Sequence, residues 1–127
     1  MGLKTWEYGA EPNILAFPDQ KVAIGVQVND TGVAADSNGR KVIPAGSPVG
    51  GDTSAQADEA AVLSVNETAP QGVLQHSVDV TSGQGNGTMI IWGFVNEYRL
   101  PKGLTISDAT KTALGGKVEF LKRNDLP

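Results

Sequence analysis

Two apolar runs joined by a glycine-rich connection restrict this chain more than any other feature. Residues 72–80 (GVLQHSVDV) and 88–96 (TMIIWGFVN) are rich in β-branched and aromatic side chains, which fit a pleated, half-buried surface. The connection 81–87 (TSGQGNG) holds three glycines and an asparagine, residue types that accept positive φ. This order predicts an antiparallel hairpin. The second run is apolar at both alternating sets, Met89 and Ile91 against Ile90, Trp92 and Phe94. A strand covered on both faces reads this way, so the run is expected at the centre of a sheet. Gly93 inside it predicts a bulge or a close backbone approach.

The flanking sequence adds short strands and turns. In 21–28 (KVAIGVQV), Val22, Ile24, Val26 and Val28 fall on one face of a strand. Turns are expected at 29–32 (NDTG) and 36–39 (DSNG). The apolar piece 41–43 stops at Pro44, and 44–48 (PAGSP) makes a rigid corner. Residues 50–70 shift to Ala, Ser, Thr, Asp and Glu and are expected to form a surface excursion. Within it, 58–65 suits a short helix or a short strand equally. Ser107 is placed to cap a short helix, Asp108 to favour its positive end and Gly115 to end it. Residues 116–121 return as a last strand with Val118 and Phe120 on one face. Sixteen glycines and seven prolines among 127 residues exclude an all-helical fold. The expected class is mainly β: a small barrel-like domain over 19–122 with one short helix, an extended N-terminal arm over 1–18 and a polar tail over 123–127.

Charge and residue usage remove most chemistry. The net charge is −4, and an acidic surface repels phosphate backbones, so nucleic acid is not an expected partner. Zero cysteines leave no disulfide, thiol nucleophile or thiolate metal site. One histidine, His76, excludes a multi-histidine cluster. The first ten residues carry Trp6, Glu7 and Tyr8 where a secretion signal needs an apolar run. No stretch approaches the roughly 20 apolar residues that span a bilayer. No metal, cofactor or membrane is expected.

The remaining catalytic candidates fail on geometry. A Ser-His-Asp set would draw on His76 with Ser77 or Ser64 and Asp79, but neighbouring strand positions point to opposite faces. Asp79, Glu97 and Glu119 show no spacing that pairs two carboxylates for glycoside hydrolysis. Gly83, Gly85 and Gly87 lack the following helix and the Lys-Ser/Thr of a phosphate loop, so they read as a hairpin tip. Asn66-Glu67-Thr68 and Asn86-Gly87-Thr88 match the glycosylation pattern, which carries no weight without a secretion signal. The chain is not expected to be an enzyme.

The arm shows neither helical nor strand periodicity, yet it holds Leu3, Trp6, Tyr8, Ile14, Leu15 and Phe17. Apolar groups gain free energy only when covered, at about 25 cal/mol per Å². The arm therefore folds back on its own domain or lies on another protein.

The order Val42-Ile43-Pro44-Ala45-Gly46, then GVLQHSVDVT (72–81), a Gly/Asn loop, IIWGFVNEYRLP (90–101) and SDATKTALGGKVEFLK (107–122) resembles head decoration proteins of tailed bacteriophages. These form the lambda-like capsid-stabilising, or cement, family, and the likeness is to small head proteins of phages of Gram-positive bacteria. It covers residues 41–122, and the stretch 50–70 departs from the compact members. The resemblance implies a β-tulip domain that sits as a homotrimer at threefold or quasi-threefold axes on the outer surface of the expanded head. There it would bind the major capsid protein and hold the shell against internal DNA pressure. It would be made in the host cytoplasm and become part of the virion. The arm would be the capsid anchor, through Leu3, Trp6, Tyr8, Ile14, Leu15 and Phe17. Competing expectations are a tail or neck component, a host-adsorption carbohydrate-binding β module, and a small hydrolase.

Overall fold

The computed structural model describes residues 14–17, 19–101 and 104–122. At 38% strand and 8% helix, with a mixed six-stranded sheet and one short helix, the protein is mainly β, as the composition requires. The longest strand organises the rest. It is β7 (Gln84–Asn96), and it pairs with β1 (Val22–Asn29), β5 (Gly72–Leu74) and β8 (Val118–Leu121). The first two partners are antiparallel and the third is parallel. Beyond β5 the sheet continues through β3 (Pro48–Gly50) to β4 (Val62–Val65), which runs parallel to β1. The circuit β1-β4-β3-β5-β7 thus returns to β1, a closed, barrel-like ring that leaves those five strands few free edges.

Two apolar cores follow from the alternation along β5 and β7. Leu74 and Met89 join Val26, Val28, Val49 and Leu63 in one cluster. Their neighbours Val73 and Ile90 join Ile14, Leu15, Val95, Leu114 and Val118 in the other. β7 is therefore covered on both faces, which explains its double apolar pattern. Outside the ring, the helix α1 (Asp108–Ala113) closes the second core. The Ser107 hydroxyl accepts from the Thr110 N–H at 3.2 Å, the Thr110 hydroxyl donates to the Glu67 carbonyl at 2.9 Å, and Gly115 follows at φ +68°. The cap thus stops the helix where the sequence places its ends and ties it to the segment after β4.

Three expectations need correction. The surface excursion 50–70 contributes β4 to the ring, with Leu63 fully buried and Ala55 and Ala61 also buried. A four-residue strand has too little period to declare itself, and its pairing with both β1 and β3 decides the matter. The single strand 72–80 is broken at residues 75–77. There the Ser77 hydroxyl accepts from the Ala45 N–H at 3.1 Å, and the chain leaves the sheet. Its continuation, β6 (Val78–Asp79), pairs with β2 (Val42–Ile43) as a separate ribbon.

The third correction concerns the glycine loop. The turn is confined to Val80–Gly83, closed by Gly83 N–H to the Val80 carbonyl at 2.8 Å with Gly83 at φ +106°. Gly85 and Gly87 are already in β7, opposite Val28 and Val26. They are glycines for space. A Cβ at Gly85 would lie 2.7 Å from the Asp79 carbonyl oxygen and 2.8 Å from Val78 Cγ1. A Cβ at Gly87 would lie 2.7 Å from Val78 Cγ2. The β2–β6 ribbon rests on β7 where side chains are missing.

The ribbon carries a pH dependence. The Thr81 hydroxyl and backbone N–H, with the Arg40 guanidinium at 2.9 Å, lower the Asp79 carboxyl to about 2. A folded-state value below the unfolded one stabilises the fold above the unfolded value of 3.8, and that stabilisation is lost as pH falls toward the folded value. Lys41 lowers Asp30 in the same direction. Urea midpoints of the native chain are expected to drop between about pH 4 and about pH 2. Asp79→Asn is expected to drop less over that interval.

Candidate functional site

Residues 14–16 are built into the domain through an isolated β-bridge. Leu15 bridges Val95 in the antiparallel sense. The Ala16 N–H donates to the Phe94 carbonyl and the Asn96 N–H to the Ile14 carbonyl, each at 2.8 Å. Ile14 and Leu15 are 1% and 0% exposed. Both were expected to touch a capsid, and both instead fill the second core. The reason is that β7 beyond the bulge has a vacant flank opposite β8, and two adjacent apolar residues cover it. Leu3, Trp6 and Tyr8 lie outside the described residues.

Phe17, the last residue of the expected set, marks the edge of an aromatic surface. Its ring meets Phe94 edge-on, with centroids 5.5 Å apart. Phe94 meets Trp92 in the same manner at 5.9 Å and 71°. Trp92 stands opposite Val22 in the β1–β7 ladder, and the two are 43% and 48% exposed. The ladder register skips Ile91 between the pairs Ala23–Ile90 and Val22–Trp92. That extra residue makes a β-bulge two positions before Gly93, which itself stays in register with Val118. It also ends the buried period of β1, so Val22 stays in water although it shares a face with Val26 and Val28.

The surface matters because of where it lies. Val22, Trp92 and Phe94 on paired strands, with Phe17 in the bend before β1, form a contiguous apolar strip beside the point at which the N-terminal residues join the domain. Scattered single apolar residues need no explanation, but a contiguous group does. Tyr98, 64% exposed, adds an aromatic on the 3-10 turn Glu97–Arg99 that follows β7. That turn is fixed by Asn96, whose side chain accepts from the Tyr98 N–H at 3.1 Å.

The catalytic candidates are scattered or committed to structural contacts. His76 is exposed in the bend after β5, not in a strand. Ser77 accepts from Ala45, Ser64 lies in β4 opposite Gly50, and Asp79 holds Arg40. Glu97 pairs with Lys111 at 2.8 Å, and Lys111 also stands 5.7 Å from the Phe120 ring centroid. Glu119 is exposed on β8. Among the described residues, no three His, Cys, Asp or Glu side chains are placed to hold a metal ion, and no helix is long and apolar enough to cross a membrane.

No family model, curated protein or solved structure matches this chain. The sequence offered two signals for that surface: the aromatic residues of the arm, and Gly93 beside Trp92. It held no signal that Val22 and Trp92 would be paired and exposed together.

Proposed function

We propose that this chain is a structural binding protein of the virion, a head decoration protein that docks on the outer face of the expanded capsid as a homotrimer. The observation that carries the reading is the exposed strip of Val22, Trp92, Phe94 and Phe17 at the root of the arm. Such a surface offers large, stiff contact area at low rotamer cost. The arm residues Leu3, Trp6 and Tyr8 extend the same chemistry along the chain. Repetition of the site on three copies multiplies a modest affinity into lasting attachment. The acidic charge suits a partner other than the packaged DNA, and the reading requires neither a metal nor a catalytic group.

A carbohydrate-binding module would also use an exposed tryptophan. Sugar platforms favour aromatic faces lying in one plane, and Trp92 and Phe94 are 71° apart. The protein-docking reading fits this geometry better.

The test is co-sedimentation of the full chain with expanded, undecorated heads of its phage. Native protein is expected to saturate the heads in multiples of three per threefold site. Trp92→Ala and Trp6→Ala are each expected to weaken binding about tenfold or more per site, one decade being about 1.4 kcal/mol. Native protein that stays in the supernatant, or a particle reconstruction placing it at the tail vertex, overturns the reading.

A further inference from the structure

A cleft of about 470 Å³ opens on the ring, on a different set of residues from the aromatic strip. Its apolar walls are Ile24, Ala55 and Ile91, and Gln56 and Glu59 stand with them. It continues past Gly25 and Glu59 into a smaller recess of about 230 Å³ that reaches Gln27 and Asn86. Gly25 keeps it open: a Cβ built there meets nothing within 4 Å.

The segment that supplies Ala55, Gln56 and Glu59 to this cleft is acidic. Residues 50–70 contain Asp52, Asp58, Glu59 and Glu67 and no lysine or arginine. Asp52, Asp58 and Glu59 are all exposed. The Asp58 carboxylate is occupied by the Ala60 N–H at 2.9 Å. Among the described residues, the Glu59 carboxylate has no ion pair or hydrogen bond, and it is the only ionisable group lining either part of the cleft. A carboxylate above an aliphatic trough, with side-chain amides beyond it, complements a long side chain with an apolar stem and a cationic head. A planar head with several donors uses the amide oxygens as well as the carboxylate, which favours arginine over lysine.

We propose that this cleft accepts an arginine side chain presented by an extended segment of a partner protein. The stem lies on Ile24, Ala55 and Ile91. The guanidinium pairs with Glu59 and reaches the amide oxygens of Gln56 and Asn86. The net charge of −4 draws such a segment in at long range. The inference does not depend on the capsid reading, and its test contains no capsid.

The experiment is an NMR titration of the ¹⁵N-labelled full chain with the peptide Ac-Gly-Arg-Gly-NH₂, alongside its citrulline and lysine counterparts. Arginine is expected to give saturable, millimolar shifts confined to the amides around Gly25, Gln56, Glu59, Asn86 and Ile91. Citrulline, which lacks the charge, is expected to bind at least tenfold more weakly, and lysine several-fold more weakly. Glu59→Gln, an exposed and conservative change, is expected to weaken arginine binding at least fivefold. Gly25→Leu adds a side chain whose Cβ meets nothing within 4 Å, and it is expected to abolish the saturable shifts while the rest of the spectrum stays native. Equal binding of citrulline or lysine overturns the proposal. So do shifts that spread evenly over all acidic residues and survive Gly25→Leu. Shifts at the cleft that grow with protein concentration before any peptide is added would assign it to a second copy of the chain instead.

Discussion

Replacing Leu15 with alanine is expected to lower the unfolding free energy by about 3 kcal/mol, within the range for a fully buried leucine that leaves a cavity. Leu15 is 0% exposed and packs in the second core with Ile14, Val73, Ile90 and Val95. Its backbone neighbours hold β7 through two hydrogen bonds, so the segment 14–16 is part of the fold. Deleting residues 2–17 removes Ile14, Leu15 and Phe17 together. Each buried aliphatic side chain is worth about 1.5–3 kcal/mol, and a domain of this size has about 5–15 kcal/mol in all. The deletion is therefore expected to abolish cooperative urea unfolding followed by circular dichroism. Deleting 2–13 instead is expected to preserve the transition and, under the proposed function, to remove capsid binding. A 2–17 deletion that unfolds cooperatively within about 1 kcal/mol of the full chain would show that the segment is dispensable.

Gly85→Val is the second large effect. The added Cβ would meet a backbone carbonyl at 2.7 Å, and Val78 Cγ1 stands 2.8 Å away on the same side. A flexible side-chain tip can swing aside, but the Asp79 carbonyl belongs to the β2–β6 ribbon, so the ribbon itself has to lift. The expected cost is about 3 kcal/mol, the upper part of the range for overpacking. Val78→Ala in the same chain is expected to recover part of it, because it removes one of the two clashes. A Gly85→Val protein with an unchanged urea midpoint would mean that the ribbon does not rest on β7.

These two sites also show where the sequence was readable. β1, β8, α1 and β7 from residue 88 onward announce themselves: alternation marks β1, an apolar pattern on both faces marks β7, Val118 and Phe120 mark β8, and Ser107 with Gly115 bounds α1. β4 is silent because Val62-Leu63-Ser64-Val65 fits a helix turn as well as a strand, and only pairing across the ring selects between them. The break at residues 75–77 is silent because both halves of 72–80 are strands, with different partners. Glycine at 85 and 87 has two meanings in a sequence, conformational freedom or missing volume, and only the position of Val78 decides for volume. The same ambiguity governs the arm. Six apolar residues looked alike in sequence, but Ile14 and Leu15 answer a vacancy on β7, whereas Phe17 sits at the rim of an exposed strip that contains no other described residue of the arm.

The closed ring has a kinetic counterpart. Val22 meets Trp92 and Leu15 meets Val95, pairs separated by most of the chain. Such distant contacts slow folding, because the loop between them must be closed before any of them is rewarded. On the ribosome β1 has no antiparallel neighbour until β7 emerges, and the segment 14–16 has no strand to lie on until Asn96 is made. β3, β4 and β5 can pair with one another before β7 is made, but Val26 and Val28 wait for the strand that runs antiparallel to β1. The third quarter of the chain therefore sets the moment at which the first quarter can fold.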